Sequence, residues 1–154
     1  MNTSLNMSRR SRLRGAAWVV GLSFMTAAGG ASAAESPKHE SPKATAPLMT
    51  HDLAGIPGKE AIMLTVEYGP GESSRPHRHD ANVFVYVLEG AITMQVKGSP
   101  AVTLHPGQTF YEGPSDIHAV SQNASKTAPA KILVFIVKDT GAPVTSPVGA
   151  EDLR

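Results

Sequence analysis

The sequence predicts an all-β domain, a sandwich or barrel built from short strands. Three observations predict it. β-prone runs recur from about residue 60 to residue 137, at intervals of about eight to twelve residues. Glycine and proline separate them, at Gly69-Pro70-Gly71, Glu89-Gly90, Gly98-Ser99-Pro100 and His105-Pro106-Gly107. No stretch of this region keeps a helical period.

Ile62 to Glu67 is the first strand, stopped by Gly69-Pro70-Gly71. Arg75 to His79 is a short one. Val83 to Leu88 is a continuous β-prone run, which predicts a central strand covered on both faces. Ile92, Met94 and Val96 alternate with Thr93, Gln95 and Lys97, the pattern of a half-buried strand. Ala101 to Leu104, Thr109 to Tyr111, Ile117 to Ser121 and Ile132 to Val137 complete the set.

The ends read differently. Arg9, Arg10, Arg12 and Arg14 precede an apolar, small-residue run from Gly15 to Gly30, and Ala31-Ser32-Ala33 offers a small-x-small cleavage site. That order predicts a secretory signal peptide over residues 1–33. A retained membrane anchor fits less well, because the run is short for a bilayer span. Ser8 to Arg14 resembles a twin-arginine signal, although Arg12 stands where an aromatic residue is usual, so the Sec and twin-arginine routes both stay open. Either route leads to the periplasm or the exterior. Residues 34–50, with Glu35-Ser36-Pro37-Lys38 and Glu40-Ser41-Pro42-Lys43, lack an apolar period and are expected to form a disordered linker. Residues 51–142 form the one domain, and residues 143–154 are expected as a flexible tail.

Cleavage after Ala33 removes four arginines and no acids, leaving 10 Lys+Arg against 13 Asp+Glu, a formal charge of −3. No basic patch argues for nucleic acid, and no membrane partner is expected once the leader is gone. With no cysteine in the chain, there is no disulfide, and any metal must be held through nitrogen and oxygen.

The chemistry concentrates in His77-Arg78-His79, answered downstream by His118. Residues two apart on a strand share a face, so the first two imidazoles lie side by side. With a distant third they can converge on one metal ion. His39, His51 and His105 are read as solvated. Glu112 and Asp116 flank the third histidine and are read as rim charges ahead of groups that orient a ligand or move a proton. Tyr86 and Tyr111 are read as core ahead of pocket. Asn123-Ala124-Ser125 matches a glycosylation acceptor but is read as a polar turn.

These residues carry a family resemblance. Gly71, His77 and His79, closed by Tyr86-Val87-Leu88-Glu89-Gly90, resemble the first cupin motif. Gly107 to Glu112, with Pro114, His118 and Asn123, resembles the second. The likeness covers roughly residues 60–140. It implies a double-stranded β-helix, or jelly-roll, barrel with a metal in its mouth, held by His77, His79 and His118. The chain departs from the pattern in three places. The first motif's usual glutamate ligand falls on Val83, the second motif's glycine on Ser115, and the asparagine comes one residue late at Asn123. An all-histidine site would leave a divalent ion its full double charge.

The resemblance implies one divalent transition-metal ion, whether Fe, Mn, Zn, Ni or Cu, and a small-molecule ligand or substrate. A metal-dependent, non-haem dioxygenase acting on an enolic or phenolic compound is the leading expectation. A non-catalytic module that binds a metal or small anion is the first alternative, and a cupin-type isomerase or decarboxylase the second. The resemblance also implies a homodimer paired through edge strands, which would protect those edges.

Overall fold

The computed structural model describes residues 41–154, and its regular elements there are all strands. The expected signal peptide, the linker residues 34–40 and His39 lie outside the described residues.

One sheet runs β1 (Lys43–Ala44), β3 (Lys59–Tyr68), β10 (Ala130–Asp139), β5 (Asn82–Glu89), β8 (Thr109–Glu112), with β2 (Met49–Asp52) also on β3. The second runs β11 (Ser146–Pro147), β4 (His77–Arg78), β9 (His118–Asn123), β6 (Ile92–Val96), β7 (Val102–Leu104). All pairings are antiparallel. This is the jelly roll that the resemblance implied. The inward rows Val83, Val85, Val87 and Ile132, Val134, Ile136 of the first sheet pack against Ile92 and Met94 of the second.

β5 corrects one expectation. It is central, between β10 and β8, but only one of its faces is covered. Phe84, Tyr86 and Leu88 point outward and are 48%, 44% and 38% exposed. The run reads as doubly buried because its outer face is aromatic: Phe84 lies against Tyr111 and Phe135, with ring centroids 5.3 and 6.2 Å apart. Tyr86 and Tyr111 therefore belong neither to the core nor to the cavity.

The two flanks are tied to the barrel. Lys43 and Ala44, within the expected linker, pair with Glu67 and Val66. Residues of the expected tail also pair: Ser146 with Arg78 and Pro147 with His77. Arg78 holds Asp152 at 2.6 Å.

β9 contains a bulge. Gln95 pairs with Val120 and Val96 with His118, so Ala119 is an extra residue. A strand without it would put His118 and Asn123, five positions apart, on opposite faces. The bulge resets the alternation, and His118, Ser121 and Asn123 are all buried. Asn123 caps the bend that follows it, but its side chain is buried. Its Nδ2 donates to the carbonyls of Gly69 at 2.9 Å and Ala128 at 2.8 Å, and its Oδ1 accepts from the Ser125 amide.

Gly90 turns β5 into β6 with a φ of +73°, and an added Cβ would sit 2.5 Å from the Pro129 carbonyl oxygen and 2.8 Å from Ala130 Cα. Gly98 also has a positive φ, of +87°, but nothing lies within 4 Å of its Cβ position. Backbone strain alone predicts that Gly98→Ala costs about 1–2 kcal/mol. Gly90→Ala adds the collision and should cost about 2–4 kcal/mol. Urea unfolding of both variants checks this, and equal losses would contradict the packing explanation.

Candidate metal centre

The three predicted histidines meet inside the barrel. β4 carries His77, which stands directly across from His118 on β9 in the antiparallel register. His79 follows on the same face, and Asp80, at a φ of 50°, then turns the chain toward β5. Such a φ is tolerated by Asp better than by most side chains. Ring centroids are 4.8 Å apart for His77 and His79, 5.1 Å for His77 and His118, and 6.3 Å for His79 and His118. One nitrogen of each ring lies within 4.8 Å of the others. His51 and His105 stand apart and exposed, as expected.

The backbone sets which nitrogen faces inward. His77 Nδ1 lies 2.7 Å from the Arg75 carbonyl oxygen, and His79 Nδ1 lies 2.8 Å from that of Val144. A carbonyl only accepts, so each Nδ1 carries the proton and donates. Each neutral ring then presents a bare lone pair at Nε2. These two atoms stand 3.2 Å apart. With both Nδ1 protons committed, no hydrogen lies between them unless one ring becomes an imidazolium. Burial, the largest influence on His77, opposes that and lowers its pKa. Two acceptors facing each other at this distance ask for a cation.

His118 is 4% exposed, stacks near Phe110 with ring centroids 6.2 Å apart, and has no hydrogen-bond partner on either nitrogen. Residues that fit a metal look like this: buried imidazoles with unspent lone pairs converging on one point.

The sequence reading placed Glu112 on the rim. The structure places it inside, 2% exposed, with Oε2 3.0 Å from His118 Nδ1 and 3.8 Å from His79 Nε2. Only Glu112's place in the alternation of Thr109–Glu112 could have flagged this, and a four-residue strand is too short to make it persuasive. Asp116 does turn work, its Oδ2 accepting from the Gly113 amide at 2.7 Å.

Residues 64–136 match the family model for the cupin domain. The chain belongs to the cupin superfamily. No curated protein matches the sequence. The cupin fold is shared with a double-stranded β-helix protein from Klebsiella pneumoniae, at 16% identity and a TM-score of 0.55, over 73% of this chain and 90% of that one. A cupin domain from Bordetella pertussis gives 16% and 0.51, over 66% and 97%. The DMSP lyase DddQ from Ruegeria pomeroyi gives 19% and 0.48 over 54% of this chain, which spans only 41% of that lyase.

The cupin's histidines open onto a cavity of about 700 Å³ lined by Leu64, Val66, Met94, Ile132 and Val134, among others. Its tyrosine is Tyr68, which the sequence reading did not single out. Tyr68 is 3% exposed, and its hydroxyl lies 2.6 Å from Ser121 Oγ and 3.4 Å from Ser74 Oγ. Burial, chiefly, raises the phenol's pKa, so it stays protonated.

His77 makes the metal-free protein sensitive to acid. Its folded pKa lies below the ordinary 6.5, so below pH 6.5 the unfolded chain takes a proton that the folded ring refuses. Stability from this ring is present above pH 6.5 and declines as the pH falls toward the lower folded value. In chelator-treated protein, urea midpoints at pH 7.5, 6 and 5 should fall, and His77→Phe should flatten the decline. An unchanged slope in that variant would remove His77 as its source.

Proposed function

We propose that this cupin is exported, holds one divalent transition-metal ion on His77, His79 and His118, and is a non-haem dioxygenase acting on a small enolic or phenolic substrate. The observation that carries the metal reading is the pair of Nε2 lone pairs 3.2 Å apart, each fixed by a backbone carbonyl behind its ring. A bound ion supplies a Lewis-acid position for negative charge on a substrate oxygen.

The chain's own residues account for the rest. Leu64, Val66, Met94, Ile132 and Val134 give the cavity an apolar wall, which suits a ring or short carbon skeleton and excludes water. Tyr68, Ser74 and Ser121 form a line of hydroxyls on that wall, able to orient an oxygen of the substrate. Val144 O holds His79 in one tautomer, and Arg75 O does the same for His77. Export rests on the order of charges and small residues before Ala33.

Elemental analysis of protein purified from its native compartment should find about one equivalent of a transition metal. His79→Ala should retain at most a tenth of it. Oxygen uptake by the loaded protein should appear with at least one member of a panel of diketones, flavonols and catechols. Metal without uptake on any of them would leave a binding module in place of an oxygenase. Absence of metal in the wild-type protein would end the proposal.

A further inference from the structure

The buried carboxylate of Glu112 lies beside the three histidines without a hydrogen-bond donor. It is a side chain 2% exposed whose Oε2 makes no hydrogen bond. An ionised carboxylate in such a place costs several kcal/mol unless a positive charge answers it. The described residues place no lysine or arginine against it. Its recorded neighbours are His118 Nδ1 at 3.0 Å and His79 Nε2 at 3.8 Å. The 3.0 Å contact is not aligned as a hydrogen bond, and both nitrogens of His118 are likewise unpartnered. Two imidazoles whose protons are already donated to carbonyls, a third with neither nitrogen paired, and one carboxylate that lacks a donor thus lie close together.

From this geometry we infer that Glu112 Oε2 is a fourth ligand of the ion held by His77, His79 and His118. The inference rests on the three-histidine reading of the site and extends it. Donors about 2.1 Å from one ion stand about 3.0 Å apart along an octahedral edge and about 3.4 Å apart along a tetrahedral one. The separations here are 3.0, 3.2 and 3.8 Å. The first two fall within that range, while the third and the histidine nitrogens, which spread up to 4.8 Å, would draw in by side-chain rotation around the ion.

The sheet register explains how a carboxylate reaches this point. Glu112 on β8 is the cross-strand partner of Val83 on β5. Directly paired residues share a face and stand about 5 Å apart, within the reach of one glutamate side chain. Val83, which stands where the first cupin motif usually has its glutamate, is 0% exposed and lines the same cavity. The charge has moved to the next strand and kept its direction. The ion would then carry a net +1 in its protein cage rather than +2.

The competing role is positional: Glu112 accepts a hydrogen bond from His118 Nδ1–H and only aims that ring. Two measurements separate the roles. A crystal structure of the zinc-loaded wild-type protein, with the ion located by anomalous scattering, should place Oε2 about 2.0–2.2 Å from zinc. Oε2 beyond about 3 Å, with zinc on the histidines alone, overturns the assignment. In solution, zinc titration against a chromophoric chelator should show Glu112→Gln binding at least tenfold more weakly than wild type. Binding within threefold of wild type also overturns it, and leaves the three-histidine site standing. A wild-type protein that takes up no zinc sinks both together. Should Glu112→Gln fail to fold, the wild-type crystal structure decides alone.

Discussion

Two imidazole lone pairs held face to face at 3.2 Å are the constraint around which this barrel is organised. Such a contact is unfavourable by itself, and nothing in the rings prevents them from rotating away. The backbone prevents it. Arg75 O and Val144 O each accept an Nδ1–H, and these carbonyls come from segments that the fold must bring in from either side. Arg75 precedes β4 in the same strand approach. Val144 is 65 residues downstream of His79, on the segment leading to β11. The proline-containing end of the chain is therefore part of the site's scaffold.

The same logic runs through β9. His118 must face His77 across the strand pair, and Asn123 must reach inward to brace the carbonyls of Gly69 and Ala128. A regular strand cannot do both, since the two residues are an odd number of positions apart. One extra residue at Ala119 reconciles them. Had Asn123 been left on the outer face, the Ala128 carbonyl would have lost its side-chain donor, at about 1–3 kcal/mol for an unpaired group, and Gly69 would have kept only the Glu72 amide.

What the sequence made legible was mostly what local periodicity controls. The strands later seen as β3, β5, β6 and β10 were readable from their apolar rhythm, and the histidine cluster from its spacing. The departures have a common cause, which is that they depend on partners distant along the chain. β5 read as doubly buried because an outward aromatic patch and a buried face look alike in one dimension. The burial of Asn123 could not be read, because a bulge is invisible without its partner strand. Lys43, Ala44, Ser146 and Pro147 read as loose ends because two-residue pairings leave no periodic trace. Glu112 read as a rim charge because only cross-strand pairing with Val83 reveals which way it points.

That pairing also revises the electrostatics. An all-histidine site would present a divalent ion's double charge to whatever enters a mostly apolar cavity, where charges are poorly screened. It would favour dianions and hold any anionic product tightly. With Glu112 as the proposed fourth ligand, the charge that a substrate meets would be halved. The cavity then suits a monoanion such as an enolate or phenolate, whose single charge balances the cage and whose apolar body meets Leu64, Met94 and Val134. On that proposal, charge balance and wall chemistry would favour the same substrate class from independent residues, one set on β8 and the other on β3, β6 and β10. A valine at position 83 fits this arrangement: with the carboxylate supplied from the adjacent strand, a second one there would cancel the remaining charge and leave a substrate anion little to bind.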